Sequence, residues 1–406
     1  MKRIISIIFL SAILLGCSCT KEDNSNSTKT ENGVIIDKPY LWWNQEEEHD
    51  NFIITTPFTY KRNFIAETHE GGTSYMSLQN VLDGSILWKW SGYINPYDID
   101  IRTIYATNNK LVWQSGPRTY CINLDNGKLN WTAKYEKPQF FIESGNESEC
   151  FLIQNHPSDS DIFPGIEILN IDNGNRNEKI IPPFKNYTNQ NVINEYGSIY
   201  GAQSYFRNND ENLIISYAEP NNYYNSKGFL GLFNRKSKLW KYTLLLNDKK
   251  VAGELKIYNE KIYFVIGDAI QCRSVWSGDS VWHKDFKGNF VYGGYMIDHG
   301  TLYCAAEGDG YYALDAETGA IKWKGERAPG TSSRMVVLNG VLYYINGGDG
   351  RLWALDAATG KTLWRLKSPD GYSFKREINV MQGDGERKGY VLTSTWHGAC
   401  AYEAER

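Results

Sequence analysis

Several side chains in this sequence are of types that can do chemistry, but their spacing matches no local catalytic or metal-binding motif. The six histidines are His49, His69, His156, His283, His299 and His397. No two of them are spaced as His-x-His or His-Glu-x-x-His, arrangements that bring two imidazoles to one metal ion. The nucleophile motif Gly-x-Ser-x-Gly is also absent from the sequence. Distant histidines and acids can still meet in a folded chain, so these patterns exclude only local motifs.

Two glycine patterns resemble nucleotide-binding loops, but neither has the context that such a loop requires. Gly360-Lys361-Thr362 matches the end of a phosphate-binding loop, yet Leu355 stands where the earlier glycine belongs. Gly308, Gly310 and Ala313 match a dinucleotide-binding pattern loosely. A phosphate loop must lead into a helix N-terminus, whereas both stretches lead into strand-like sequence. We interpret these glycines as turn residues.

Clustered carboxylates occur at Glu46-Glu47-Glu48-His49-Asp50 and at Ser158-Asp159-Ser160-Asp161. Calcium-binding loops space their ligands so that the chain wraps around the ion, which consecutive residues cannot do. The second stretch also lacks the glycine and the terminal glutamate of an EF-hand loop. We interpret both as solvated loops, and we predict no metal site, no cofactor and no catalytic residue.

The first residues have the composition of a targeting segment. Met1-Lys2-Arg3 is basic, and Ile4 to Leu15 is apolar apart from two serines, which is too short for a stable membrane span. The ending Leu14-Leu15-Gly16-Cys17 resembles a bacterial lipobox. That resemblance implies a signal peptide over residues 1–16 and lipid on Cys17. The alternative is an ordinary signal peptide with an incidental cysteine.

The segment after Cys17 is polar and rich in Ser, Asn, Thr and Lys, which predicts a flexible tether over residues 17–33. Lys21-Glu22-Asp23 resembles the acidic tag that directs some lipoproteins to the cell surface. We therefore expect an outer-membrane lipoprotein on the periplasmic or the cell-surface side. The five cysteines beyond the tether lie in separate strand-like runs, which favours buried free thiols over disulfides; they are Cys121, Cys150, Cys272, Cys304 and Cys400.

A repeat organises the rest of the chain. Asp315-Ala316-Glu317-Thr318-Gly319-Ala320-Ile321-Lys322-Trp323 returns 41 residues later as Asp356-Ala357-Ala358-Thr359-Gly360-Lys361-Thr362-Leu363-Trp364. Each copy is a strand, a polar turn closed by glycine, and a second strand with tryptophan four residues after the glycine. Glycine accepts the positive φ that such turns require. A unit of about 40 residues that contains short strands and one tryptophan is typical of a propeller blade.

Weaker copies extend the repeat along the chain. The pattern Gly-x-x-x-Trp occurs at Gly84/Trp88, Gly127/Trp131, Gly278/Trp282, Gly319/Trp323 and Gly360/Trp364. Trp240 fits if Lys236 takes the glycine place, and Ile171-Asp172-Asn173-Gly174 is a matching turn with no tryptophan after it. The run from Val34 to Trp43 is a tryptophan strand with no unit before it. We predict an all-β, eight-bladed propeller over residues 34–406, with four-stranded antiparallel blades and the N-terminal strand completing the last blade.

The motif Ala-Leu-Asp-Ala-x-Thr-Gly-x-x-x-Trp resembles the pyrroloquinoline-quinone-like (PQQ-like) propeller repeat, most sharply over residues 300 to 366. This repeat occurs in quinoprotein dehydrogenases and in the BamB-type outer-membrane assembly lipoproteins, and both are eight-bladed. Such dehydrogenases commonly hold their quinone above a ring formed by two adjacent cysteines and use calcium and a catalytic aspartate. No two cysteines are adjacent in this sequence, which disfavours that activity.

Composition and the resemblance together favour a non-catalytic, lipid-anchored propeller that binds other proteins of the cell envelope. A net charge of −4 and a pI near 6.0 do not suggest nucleic-acid binding. We expect a monomer with an envelope protein partner, bound through loops between residues 140 and 225. The alternatives are a propeller that binds carbohydrate or another small ligand through aromatic residues such as Tyr223 and Tyr224, and a PQQ-dependent dehydrogenase.

Overall fold

The computed structural model describes the strands and turns of the propeller together with two short N-terminal pieces. The described residues are 30–31, 34–35, 38–45, 58–70, 73–92, 104–115, 117–134, 140–154, 164–184, 198–218, 227–246, 251–287, 291, 294–326, 333–375 and 378–406. Every regular element among them is a β-strand. None of these residues belongs to a helix that is long and apolar enough to cross a membrane.

Eight β-sheets follow one another along the chain, and each contains one four-stranded antiparallel blade. The first seven blades are made of four consecutive strands. Blade 1 comprises Phe58–Tyr60, Asn63–Glu70, Thr73–Asn80 and Ile86–Trp90. Blade 2 comprises Ile104–Thr107, Lys110–Ser115, Arg118–Asn123 and Leu129–Lys134. Blade 3 comprises Phe140–Glu143, Glu149–Gln154, Gly165–Asn170 and Arg176–Ile180. Blade 4 comprises Ser198–Arg207, Asp210–Ala218, Gly228–Asn234 and Leu239–Leu245.

The second half of the ring is built in the same way. Blade 5 comprises Val251–Tyr258, Lys261–Ile266, Ala269–Ser274 and Ser280–Asp285. Blade 6 comprises Met296–Asp298, Thr301–Ala306, Gly310–Asp315 and Ile321–Lys324. Blade 7 comprises Val336–Leu338, Val341–Ile345, Leu352–Asp356 and Thr362–Leu366. Blade 8 comprises Ile378–Gln382, Gly389–Ser394, Gly398–Glu403 and the distant strand Trp42–Gln45. The predicted eight-bladed all-β propeller is confirmed.

Burial explains why the blades stack into a ring. The third strand of blade 4, Gly228–Asn234, is buried at every position, because neighbouring blades cover both of its faces. The fourth strand, Leu239–Leu245, alternates between exposed and half-buried residues. The first strands of most neighbouring blades contact each other, including those of blades 8 and 1. The core therefore lies between the blades, where each sheet packs its apolar face on the next.

The ring is closed by the N-terminal part of the chain, as predicted. Trp42–Gln45 pairs antiparallel with Gly398–Glu403, and Trp43 lies opposite Cys400. The predicted single strand from Val34 to Trp43 is wrong in one respect, because it divides between two blades. Val34–Ile35 pairs instead with the outer strand of blade 7, in parallel and opposite Trp364.

The end of the predicted tether also has regular structure. Thr30–Glu31 pairs antiparallel with Val34–Ile35, so the two form a small hairpin on the outer edge of blade 7. Added strands satisfy backbone groups that an edge strand otherwise leaves unpaired. Two residues of the segment predicted to be flexible, Thr30 and Glu31, therefore lie in a strand. Residues 1–29, which include Cys17, lie outside the described residues.

Candidate functional site

The signature tryptophans lie at the junctions between blades, where each contacts the turn of the following blade. Trp323 of blade 6 donates its indole Nε1–H to the carbonyl oxygen of Ala357 in blade 7, at 2.9 Å. Gly360 closes the same turn with φ of 72°, and a Cβ placed on it would lie 2.5 Å from the Trp323 ring. Glycine is required there both for the backbone conformation and for the close approach of the ring.

The same junction contact recurs at five junctions of the ring, and at each of them the tryptophan contacts the glycine of the next blade rather than its own. The pairs of indole and glycine are Trp42 with Gly84, Trp88 with Gly127, Trp131 with Gly174, Trp282 with Gly319, and Trp323 with Gly360. The carbonyl acceptors of these indoles are Val81, Leu124, Ile171, Ala316 and Ala357, at 2.7 to 2.9 Å. In the closing strand the contact is made by Trp42, whereas Trp43 packs into the core between blades 7 and 8.

The structure corrects the assignment of Lys236 and Trp240 by two residues. In blade 4 the residue with positive φ at the glycine place is Lys238. Tyr242, four residues later, makes the junction contact, because its hydroxyl donates to the carbonyl oxygen of Val275 at 2.8 Å. Trp240 points into the blade, and its ring centroid lies 5.3 Å from that of Phe233. With no glycine in the turn, the sequence pattern could not distinguish the two registers.

Charged side chains take part in the contact at two further junctions. In blade 3 the position four residues after Gly174 is Glu178, whose carboxylate pairs with Lys238 of blade 4. At the closing junction, Trp364 donates its Nε1–H to Glu405 Oε1 at 2.8 Å. Lys38 pairs with the same carboxylate, so residues from both ends of the chain meet on one tryptophan.

The five cysteines of the propeller are free thiols buried in five different blades, as the sequence suggested. Burial raises the pKa of Cys121 and of Cys272 to about 11. Burial also raises the pKa of the Cys150, Cys304 and Cys400 thiols. A thiol that stays protonated is a poor nucleophile and a poor metal ligand, so we assign these residues to packing.

A group of polar and aromatic side chains on blade 8 is the most developed candidate functional site. We define the blade 8 cluster as Ser368, Asp370, Tyr372, Lys375, Trp396 and His397. The first four belong to the connection from blade 7, and the last two to the turn between the second and third strands of blade 8. Asp370 Oδ2 lies 3.0 Å from His397 Nδ1, and Asp370 also accepts the backbone N–H of Tyr372 at 3.0 Å.

The environment of the blade 8 cluster fixes its charges. Burial would raise the pKa of Asp370, but hydrogen bonds from Ser368, Thr395, the Tyr372 N–H and His397 outweigh burial and lower it. The carboxylate therefore stays ionised although the Asp370 side chain is only 4% exposed. Burial lowers the pKa of Lys375 to about 8, against the opposing attraction of Asp370. The Lys375 ammonium lies 2.9 Å from the ring centroid of Trp396.

This arrangement orients one imidazole and exposes aromatic surface beside it. An aspartate bonded to Nδ1 fixes the tautomer and orientation of a histidine. The Ser368 hydroxyl donates to Asp370, whereas in a Ser-His-Asp nucleophile the hydroxyl donates to the histidine. Tyr372 is 66% exposed and lies 5.2 Å from the His397 ring, while Trp396 is 38% exposed. The cluster can therefore bind a ligand through ring faces and hydrogen bonds.

Sequence reasoning missed the blade 8 cluster because its two halves lie far apart in sequence. Asp370 and His397 are separated by 27 positions, and neither belongs to a repeat motif. They meet only because the connection between blades and the second turn of a blade lie on the same end of the ring. Tyr223, Tyr224, Glu46–Asp50 and Ser158–Asp161 lie outside the described residues.

The residues present do not fit the quinone arrangement of the dehydrogenases. The sequence has no adjacent cysteine pair, and each of the five described thiols is buried within its own blade. Within the part of the chain that the structure describes, no group of three or more His, Cys, Asp or Glu residues could hold a metal ion. We derive no catalytic step through a quinone.

Comparison with known proteins agrees with the repeat and the architecture. A family model described as "Outer membrane protein assembly factor BamB" matches residues 239–385. The propeller is similar to the BamB-like PQQ-repeat family over these residues. The matched residues run from the outer strand of blade 4 into blade 8. The predicted resemblance is confirmed.

The proteins to which this chain is similar include dehydrogenases as well as BamB. The alcohol dehydrogenase (quinone), dehydrogenase subunit, of Gluconobacter oxydans (strain 621H) is 33% identical over 146 residues, a stretch that covers 33% of this chain and 18% of that protein. The structure of BamB from Moraxella catarrhalis is 11% identical with a TM-score of 0.59, over 88% of this chain and 96% of that one. A europium-containing methanol dehydrogenase is 11% identical with a TM-score of 0.64, over 89% of this chain and 85% of that one. At such identities the structural likeness establishes the fold alone.

Proposed function

We propose that this PQQ-like propeller is a non-catalytic, lipid-anchored scaffold that binds other proteins of the bacterial cell envelope. Its function would then resemble that of the assembly factor named by the family model. The lipid on Cys17 would hold the ring close to the outer membrane. The envelope partner would bind the loops that the rigid blades present.

The observation that carries this proposal is that the repeat residues serve packing between blades. The described cysteines are buried, and the junction tryptophans bond to backbone carbonyls of the next blade. These aromatic and sulfur side chains therefore stabilise the ring itself. Binding is then left to the loops, which commonly contact partners when a rigid frame holds them.

Membrane fractionation and affinity capture test the two parts of the proposal. The wild-type protein should sediment with the outer membrane, and Cys17→Ser should become soluble because it cannot be lipidated. Capture of the tagged wild type after cross-linking in intact cells should yield one envelope protein in near-stoichiometric amount. Continued membrane association of Cys17→Ser would contradict anchoring. Alcohol oxidation after addition of quinone and calcium would contradict the non-catalytic assignment.

Small-ligand binding is a second candidate function, and the exposed rings of the blade 8 cluster favour it. Tyr372 and Trp396 flank an imidazole held by a buried carboxylate. Aromatic faces beside fixed polar groups suit hydroxylated ring compounds such as carbohydrates. A binding isotherm with a neutral oligosaccharide that is abolished in Tyr372→Ala and Trp396→Ala would support this function over the scaffold.

A further inference from the structure

A second candidate site lies at the junction of blades 4 and 5, on the end of the ring opposite to the blade 8 cluster. A cavity of about 350 Å³ opens there between the two turns of blade 4 and a turn of blade 5. Its walls include Arg207, Lys236, Lys241 and Trp276. Ligand pockets for small molecules begin at about this volume. The charges on the walls decide which ligand the cavity can hold.

At several other junctions a turn carboxylate neutralises a cation of the preceding blade. Two residues before the turn glycine stand Asp125, Asp172 and Glu317. Asp125 Oδ1 lies 3.5 Å from Lys61 Nζ. In the same way Asp172 pairs with Lys110, and Glu317 pairs with Lys261. The charge of each basic residue is therefore balanced by the next blade.

The junction of blades 4 and 5 departs from this rule. The equivalent position, two residues before Gly278, is Trp276. The guanidinium of Arg207 lies 4.2 Å from the Trp276 ring centroid, and the Lys241 ammonium lies 5.3 Å from it. The aromatic ring holds both cations by cation–π attraction without cancelling their charge. No ion pair among the described residues includes Arg207 or Lys241.

The charge around the cavity is therefore positive. Lys236 adds a third cation, and Asp210 offsets one charge because it lies 3.2 Å from Lys236. Stacking occupies the face of a guanidinium and leaves its N–H groups at the edge able to donate. The floor of the cavity includes the buried amides of Asn212 and Asn234, which are bonded to each other at 2.9 Å. The floor of the cavity is therefore preformed.

We infer that the cavity between blades 4 and 5 binds the oxyanion of a small anionic ligand, held by Arg207 and Lys241 on the Trp276 platform. Charge-assisted hydrogen bonds from an arginine suit carboxylate and phosphate groups alike. The volume admits about one sugar ring with its charged substituent. This inference does not depend on the proposed scaffold function or on the blade 8 cluster.

Calorimetric titration of the full-length protein with three sugars tests the inference. Glucuronate carries a carboxylate, glucose 6-phosphate a phosphate, and glucose no charge. We expect at least one anionic sugar to bind at concentrations up to about 10 mM, and glucose not to bind. The preferred anionic sugar identifies the oxyanion. Equal binding of glucose, or no binding of either anionic sugar, would overturn the inference.

Variants locate the binding. Arg207→Gln with Lys241→Gln should weaken anion binding about tenfold or more, since both charge-assisted contacts are lost. Trp276→Asp should have the same effect, because it installs the neutralising carboxylate that other junctions contain. The matched control is Lys61→Gln, which removes a cation already paired with Asp125 and should change the Kd less than about twofold. Unchanged binding by Trp276→Asp, or equal loss in the control, would place the anion elsewhere.

Discussion

Glycine at the blade junctions is required by two separate constraints, and the chain provides a pair of positions that separates them. Gly360 has φ of 72°, and an added Cβ would meet the Trp323 ring. Gly371 has φ of 78°, and an added Cβ would meet nothing within 4 Å. The first position combines backbone strain with a steric clash, whereas the second carries strain alone.

Gly360→Ala should therefore destabilise the protein more than Gly371→Ala. We expect Gly371→Ala to lower the free energy of unfolding by about 1–2 kcal/mol, the cost of the left-handed conformation for alanine. Gly360→Ala should cost a further 1–3 kcal/mol or so, because the tryptophan must move. Urea denaturation of both variants measures the difference. Equal losses would show that the indole ring does not rest on the glycine.

Lys375 should titrate well below an ordinary lysine, because burial penalises its charged form. Its pKa is lowered to about 8, so the amine should be half neutral at that pH. Trp396→Ala should admit water and return the midpoint toward the usual 10.5. Both midpoints can be followed by the ¹³C chemical shift of the lysine side chain. A wild-type midpoint near 10 would contradict the described burial of Lys375.

At the scale of the strands, the tryptophan at the seam between blades 7 and 8 bonds to an ionised side chain, Glu405, where the other junction tryptophans use a backbone carbonyl. Burial would raise the pKa of Glu405, but the hydrogen bond and charge of Lys38, with a bond from Trp364, outweigh burial and lower it. A carboxyl whose pKa is lower in the folded state stabilises the protein above its unfolded pKa. That contribution to stability is lost as pH falls through the pKa that the carboxyl has in the folded state.

Glu405→Gln should therefore destabilise the protein most near pH 7 and least in acid. Above the unfolded pKa of about 4.5 the wild type retains the full contribution of the carboxylate, and below the folded pKa both proteins lack it. The difference in unfolding free energy between the two should shrink as pH falls from 7 to 3. The control is Glu386→Gln, because the Glu386 side chain is exposed. A difference that stays constant with pH would mean that Glu405 is not ionised in the seam.

The strands could be predicted where the repeat was regular, and their register where glycine marked the turn. Gly319 and Gly360 fix the positions of Trp323 and Trp364 four residues later. In blade 4 no glycine occupies the turn, and Lys238 adopts positive φ instead. The choice between Trp240 and Tyr242 then depends on which side chain reaches the next blade, and a single sequence does not contain that information.

At the scale of the whole molecule, the repeat predicted the ring but not the sites on its two ends. The period of 41 residues and the unpaired tryptophan strand at the front of the chain together required closure. The blade 8 cluster and the cavity between blades 4 and 5 instead combine residues from different turns. Trp276 stands at a place where three other junctions hold an acid, and this difference was visible in the sequence. The sequence alone did not show that Trp276 contacts the Arg207 guanidinium, and this contact is what indicates an anion site.

Closure of the ring by Trp42–Gln45 is the claim on which the scaffold account depends most directly, and a cysteine placed opposite Cys400 tests it. Trp43 and Cys400 are paired residues of adjacent antiparallel strands, and the Cα separation in such pairs permits a disulfide. Mild oxidation of folded Trp43→Cys should link residues 43 and 400, as detected by mass spectrometry of its peptides. The same variant with Cys400→Ser should form no link. If both thiols stay reduced in the folded protein, the front of the chain does not complete the last blade.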